Sequence, residues 1–278
     1  MARVAPFLPL ILAGLVAGAA HAQTVSQPAV PAESPALSRE AMGEFLRTAR
    51  VVGSRRLGRG TTNPWRLTLS DSRLTADAVF QSIHERAVNR ELSDGRTELL
   101  FVDSYHYNIA AYRIAALVGL GEMMPVTVER TWNGQEGSLT WWIDNAMEEG
   151  ERRRRKLAPP DLVRWNAQMF RLRVFGRLVA DTDRNLGNVL IDPAWQLWMI
   201  DFTRAFRPNR EIEYPQDLSR CDRNVLESLR RLTEVDVARE VGPHLERRDI
   251  AALMARRDAL VAHFDRLIKE RGQGQVLY

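Results

Sequence analysis

The sequence predicts an α+β fold of two lobes, and three observations carry that expectation. The front half is cut into short strand-like runs by turn residues. The rear half has the apolar spacing of helices. Between rear helices sits a short apolar hairpin bounded by polar residues: Asp183, Arg184, Asn185 and Asn188 before it, Asp201-Phe202-Thr203 after it.

Taken in order, residues 1–22 read as a signal peptide. Arg3 gives a basic start, Val4–Ala19 is mostly apolar, and Ala20-His21-Ala22 is a small-x-small cleavage site. An uncleaved anchor is the lesser reading, because Pro6 and Pro9 break a run that is already short. The expected product is exported, to a periplasm or beyond the cell. It has no transmembrane segment after cleavage, since no second apolar stretch is long enough. About 256 residues then remain, enough for two lobes with a real core. Loss of Arg3 lowers the formal charge from +4 to +3, too small an excess to call for a nucleic-acid partner. Cys221 is the one cysteine, so there is no internal disulfide framework.

Residues 23–37 are rich in Pro, Ala, Ser and Gln and read as a flexible linker. The front lobe is expected over 38–145. Ser38 suits the N-cap of a helix with Met42, Phe45, Leu46 and Ala49 on one face. Gly53, Gly58 and Gly60 mark a turn; Trp65–Leu69 and Ala78–Ile83 alternate as strands around Asp71-Ser72. A helix over 104–118 ends at Gly119. Met124–Glu129 and Leu139–Ile143 form two strands joined through Asn133-Gly134.

The rear lobe is expected over 146–278, helical after Ala146 except for the hairpin. Helices fit 160–179, with Asp161 near the cap, then 222–232, 234–241 and 247–270. Arg152–Lys156 follows Glu148, Glu149 and Glu151, and reads as a solvated, charge-paired connector rather than a docking patch.

The hairpin carries the chemistry. Val189–Ile191 and Leu197–Ile200 are strand-like runs separated by the turn Asp192–Gln196. Folding them together sets Asn188 beside Asp201, with Asp183 in the entering loop. Two carboxylates and an amide at one mouth make an oxygen-rich site suited to Mg²⁺ or Mn²⁺ and the phosphates such an ion carries.

Asp183 and Asn188, five apart and followed by Asp201-Phe202, resemble the catalytic loop and metal motif of protein-kinase-like folds. The Asp-Arg-x-x-x-Asn form is most similar to phosphatidylinositol 3-/4-kinases, HipA-type kinases and secretory-pathway kinases of casein-like proteins. Ile109–Ile114, Gly119-Leu120 and Pro125 are similar to those families' front-lobe helix and following strand. The resemblance implies that Asp183 orients or deprotonates an attacking hydroxyl, and that Asn188 and Asp201 hold metal ions bridging the phosphates of ATP or another nucleotide. Gly58-Arg59-Gly60-Thr61-Thr62 sits where a phosphate-covering loop lies, with Gly58, Gly60 and Thr61 as candidate contacts; a plain hairpin turn is the other reading.

One departure stands out. Kinases place a lysine on a front-lobe strand, paired with a glutamate of the front-lobe helix. This chain has no lysine before Lys156. The strand position falls on Gln81, a candidate nucleotide-binding residue, and the facing helix position on Asn108. Arg86 or His84 is the candidate replacement cation, with Glu98 as its partner. Asp181-Thr182-Asp183 also matches the Asp-x-Asp pair of haloacid-dehalogenase-type phosphatases, but it follows a helix rather than a buried parallel strand. The expected function is phosphoryl transfer from a nucleotide to a hydroxyl on a protein, sugar or lipid. The alternative is an exported pseudokinase that binds nucleotide or a partner without transfer. An exported protein meets little ATP, which leans toward an unusual donor or a binding role.

Overall fold

Turn chemistry sets the strand pairing of the front half. The computed structural model describes residues 1, 37–58, 64–91, 95 and 97–278. The expected leader, the linker up to residue 36, and the candidate contacts Gly60 and Thr61 therefore lie outside the described residues. Leu37–Tyr278 forms one compact unit.

Helix α1 (Arg39–Thr48) starts at Ser38, whose hydroxyl accepts the Ala41 N–H at 3.2 Å. Strands β1 (Arg50–Arg56), β2 (Trp65–Ser70) and β3 (Thr75–Gln81) follow. The β2–β3 turn is closed by Asp71, whose Oδ1 accepts the N–H groups of Arg73 and Leu74, both at 2.7 Å. An antiparallel ribbon of β4 (His84–Glu91) and β5 (Thr97–Ser104) comes next, then helix α2 (Tyr105–Leu117), capped by Ser104. Strands β6 (Thr127–Trp132) and β7 (Gln135–Trp141) join through Asn133-Gly134, both at positive φ, as a type I′ turn requires.

Five of these strands make one antiparallel sheet in the order β1-β2-β3-β7-β6. Strand alternation gives that sheet two distinct faces. Phe80, Leu139 and Val128 are cross-strand partners on one face and are buried with Leu67, Leu69 and, from α1, Phe45 and Leu46. The next row, Gln81, Ser138 and Glu129, belongs to the opposite face. Gly137 borders this row; a Cβ there would lie 2.5 Å from the Gln81 carbonyl oxygen and 2.7 Å from the Phe80 ring. The backbone beside Gln81 is thus shaped by a residue with no side chain.

In the rear half, β8 (Met147–Glu148) leads into α3 (Glu149–Arg154) and α4 (Leu162–Leu178). Asp161 caps α4 by accepting the N–H groups of Val163 and Arg164 at 2.9 Å. The hairpin is β9 (Val189–Ile191) and β10 (Leu197–Met199). Helices α5 (Arg223–Arg231), α6 (Glu234–Val241), α7 (Arg247–Arg271) and α8 (Gln273–Val276) complete the chain. Their apolar faces share one core with α2, α4 and the hairpin, including Phe175, Phe202, Phe206, Leu226, Leu253 and Phe264. Burial raises the Cys221 thiol to about 12, so it stays protonated and inert in that core.

Several expectations are corrected. β3 stops at Gln81 rather than Ile83, and the β6–β7 hairpin runs from Thr127 to Trp141. The segment after Ala146 is not helical at once, because β8 adds an outer strand to the hairpin. The basic connector is only partly solvated. Glu149 is buried, Arg152 grips it at 2.6 Å and lies over the Trp165 ring, and Arg153 binds it at 2.7 Å. A buried carboxylate needs such partners. No helix among the described residues is long and apolar enough to cross a membrane.

Candidate active site

The hairpin is fixed to α4 before it can position anything. The buried Gln168 side chain donates to the Trp195 carbonyl at 3.0 Å and accepts the Leu197 N–H at 2.8 Å. At the other end the ladder runs one pair past Met199, since the Ile200 N–H donates to the Asn188 carbonyl at 3.1 Å. Asn188 and Asp201 therefore flank the open mouth, as the folded-back hairpin demanded.

Arg184 ties that mouth together. Its Nε donates to Asp181 at 2.6 Å, and its Nη1 donates to the carbonyls of both Asn188, at 2.6 Å, and Ile200, at 2.7 Å. The guanidinium lies over the Phe202 ring, 4.1 Å from its centre. Asn188 in turn donates from Nδ2 to the Asp183 carbonyl at 2.9 Å, so Oδ1 is the side-chain atom that could meet a cation. The Asp181-Thr182-Asp183 pair is not a phosphatase nucleophile pair, because the Asp181 carboxylate is buried and held by Arg184.

Asp201 sits at φ +56°, a left-handed conformation that an aspartate keeps only when its surroundings enforce it. Two backbone bonds enforce it here. The Phe202 N–H donates to Asn108 Oδ1 at 2.7 Å, and the Ser104 N–H donates to the Thr203 carbonyl at 2.8 Å. The Asp201 Oδ1 accepts from Thr203 Oγ1 at 3.2 Å and from Gln81 Nε2 at 3.4 Å.

Gln81 and Asn108 do face each other. Asn108 Nδ2 donates to Gln81 Oε1 at 2.7 Å and to Ser138 Oγ at 3.1 Å. An all-amide relay thus runs from the sheet through α2 to Asp201 and Phe202. It has no charge, and every one of its side-chain amide groups has a partner, the condition under which a buried polar network is stable. The proposed replacement cations do not enter. Arg86 is exposed and paired with Glu246, and His84 shares a hydrogen bond with Ser104 at 2.8 Å. Glu98 serves neither; it is bound by Arg204 and Arg207. Gly58, two residues after β1, is exposed and at φ +61°.

Sequence reasoning missed Asp103. It ends an apolar run in β5, is buried, and its Oδ1 has no hydrogen-bond partner. Burial, aided by the Asp201 charge, pushes its carboxyl above the ordinary aspartate range, against the Thr203 hydroxyl and Arg204. Its only signal was an acid closing the stretch Leu99–Val102. Asp183 behaves alike: burial, with the charges of Asp201 and Asp181, raises it against the pull of Arg204, whose Nη1 is 3.9 Å away. Asp103 and Asp183 are both raised beside the Asp201 charge, and Asp103 keeps a buried oxygen without a hydrogen-bond partner, a combination that a divalent cation would relieve. A cavity of about 330 Å³ bordered by Leu218, His263 and Glu270 touches none of these residues. Asp103 and Asn188 are buried and Asp201 is half-buried, whereas the Asp183 side chain is 44% exposed.

No protein-family model and no curated protein matches the sequence. Solved structures do. A Fam20 protein of hydra, determined with a sugar, is similar at a TM-score of 0.62 and 14% identity, over 86% of this chain and 91% of that one. A Golgi casein kinase with Mn and ADP bound is similar at 0.59 and 13%, over 86% and 78%. The Helicobacter pylori proinflammatory kinase CtkA is similar at 0.53 and 11%, over 81% and 98%. At such identities the likeness shows the fold alone: the chain has a two-lobed, protein-kinase-like α+β fold.

Two outcomes follow from this geometry. Arg184→Ala leaves Asp181 buried and uncompensated, so it should destabilise the protein by about 3–5 kcal/mol in denaturant unfolding. Asp181→Ala combined with it should recover part of that loss, in a double-mutant cycle. Asp103→Asn should raise the unfolding temperature in metal-free buffer near neutral pH. A carboxyl raised in the folded state favours folding fully below its unfolded value and loses that contribution as pH rises through the folded one. The gain from Asn should therefore vanish in acid, where both forms are neutral, as a pH series of thermal melts would read.

Proposed function

We propose that this chain is an exported, metal-dependent phosphotransferase that moves a phosphoryl group from a nucleotide to a hydroxyl acceptor on a protein, sugar or lipid. The observation that supports it most is the meeting of Asp183, Asn188 and Asp201 at one hairpin mouth, beside the orphaned oxygen of Asp103. The Golgi casein kinase similar to this chain was solved with Mn and ADP, which favours the same class of ligand here.

Asp201 and Asn188 are the residues assigned to Mg²⁺ or Mn²⁺, with Asp103 as a further carboxylate. Such an ion, when bound, supplies positive charge to the phosphates of the nucleotide. The protein's own contribution is alignment. Gln81 and Thr203 orient the Asp201 carboxylate, and Arg184 fixes the loop that carries Asp183. Asp183 is exposed enough to meet an acceptor hydroxyl. Its raised carboxyl suits it to take that proton, or to orient the group. Phosphoryl transfer asks for positioning and charge neutralisation more than for covalent help.

One observation favours a second reading, an exported pseudokinase. The sequence resemblance sets Gln81 and Asn108 at the lysine–glutamate positions, and their amide–amide contact supplies no cation there. Replacing both charges together avoids a stranded buried ion, so the site is stable either way.

The test is nucleotide turnover by the full chain with Mn²⁺ and Mg²⁺ across a panel of hydroxyl acceptors. Asp201→Ala and Asp183→Asn should each lower it by about 10²-fold or more, the scale of a lost catalytic group. The acid limb of the wild-type rate should lie above the ordinary aspartate range, following the direction of the Asp183 shift. Nucleotide binding without turnover, retained in Asp183→Asn, would instead select the pseudokinase.

A further inference from the structure

On the other side of α2 the same sheet row ends in a second cluster of ligating groups. Gln81, Ser138 and Glu129 are successive cross-strand partners. Gln81 serves Asp201 and Asn108, whereas Glu129, two strands away, meets His106 of α2 and His244 of the α6–α7 junction. One ligand atom from each of His106, Glu129 and His244 falls within 4.8 Å of the other two. The two imidazoles present Nδ1 to Nδ1 at 3.2 Å. Two nitrogens bound to one tetrahedral ion at 2.0–2.1 Å stand about 3.3–3.4 Å apart, so this spacing needs almost no adjustment.

We propose that His106, His244 and Glu129 form a transition-metal site, best suited to Zn²⁺, separate from the acids of the hairpin mouth. The donor set is two imidazoles and one carboxylate, with a fourth position left for water, and that composition selects Zn²⁺ over Mg²⁺. Burial, with Arg113 and His106 nearby, lowers the His244 imidazole to about 4, and burial also lowers that of His106. Both rings are therefore neutral at physiological pH, the form that ligates metals. The neighbouring charges are mixed. Arg113 is engaged with the Glu240 carbonyl, Arg86 with Glu246, and Glu136 contacts the Tyr105 hydroxyl at 3.5 Å. Tyr105 stacks on His106, 4.1 Å between ring centres, and holds that ring's plane.

The placement gives the site a mechanical consequence. Its three ligands come from β6 of the front sheet, the first turn of α2, and the junction of two rear helices. A bound ion would staple the two halves together through α2. Asn108, two residues beyond His106, is the same helix's contact with Gln81 and Phe202. The staple therefore holds the helix that holds Asp201. The ligands are scattered along the chain without any short-range metal spacing, which is why the sequence alone gave no sign of them. The inference does not depend on phosphoryl transfer.

The test uses Co²⁺ as the spectroscopic probe, titrated into the full chain after chelator treatment and read by visible d–d absorption. One equivalent should give the intense band of tetrahedral coordination, and Zn²⁺ should displace it. Glu129→Gln, on an exposed strand position, should weaken binding by at least ~10-fold, since even outer-shell changes act on that scale. His106→Ala should abolish the band while circular dichroism reports an intact fold. Asp201→Asn should leave the band in place, which separates this site from the hairpin mouth. Absence of a tetrahedral band at stoichiometric Co²⁺ overturns the proposal. So does a band that survives both Glu129→Gln and His106→Ala, because the ring contact is then a plain N–H···N hydrogen bond.

Discussion

One guanidinium decides whether this protein has a site at all. Arg184 donates to the carbonyls on either side of the hairpin mouth and to the aspartate that opens the loop. The β9–β10 ladder is only three residues per strand, and a two-stranded ribbon of that size has little stability of its own. Arg184 closes its open end, Gln168 closes its turn end, and β8 covers its outer edge. Asp183, Asn188 and Asp201 owe their convergence to these attachments more than to the hairpin's intrinsic strength. A lysine at position 184 could not substitute, because a planar fork meets three acceptors at once there.

The second constraint is electrostatic. The Asp201 charge makes the ionisation of both Asp103 and Asp183 more costly, while the nearby arginines are partly spent on Glu98. A protein evolved only for stability would not keep a buried carboxylate oxygen without a partner. The amide relay of Gln81 and Asn108 adds no compensating cation. Its effect is steric and directional: it sets the left-handed turn at Asp201 through the Phe202 N–H.

What the sequence disclosed tracks how local the cause was. The hairpin, the Ser38 and Asp161 caps, the Asn133-Gly134 turn and the facing of Gln81 with Asn108 were legible because each rests on turn chemistry, capping or a recognisable motif. The β4–β5 ribbon was not. β4 is exposed along nearly all its length, so it lacks the alternation that marks a half-buried strand. Asp103 and the His106, Glu129 and His244 cluster were hidden for another reason. Their partners lie across the sheet or in the other half of the chain, and no spacing along the sequence encodes such a meeting. The choice of Arg86, His84 and Glu98 as a replacement triad failed on the same point, since Glu98 had two stronger cations already waiting in Arg204 and Arg207.

Whether the hairpin mouth holds a cation is decided by locating the ion. Crystals of the full chain grown with Mn²⁺ and ADP, measured at the manganese absorption edge, give the ion's position independently of any activity. The account requires an anomalous peak bonded to Asp201 and Asn188, with ADP phosphate oxygens on the same ion. A map whose peaks avoid both residues, with ADP absent from the hairpin mouth or bound without an ion, would contradict it.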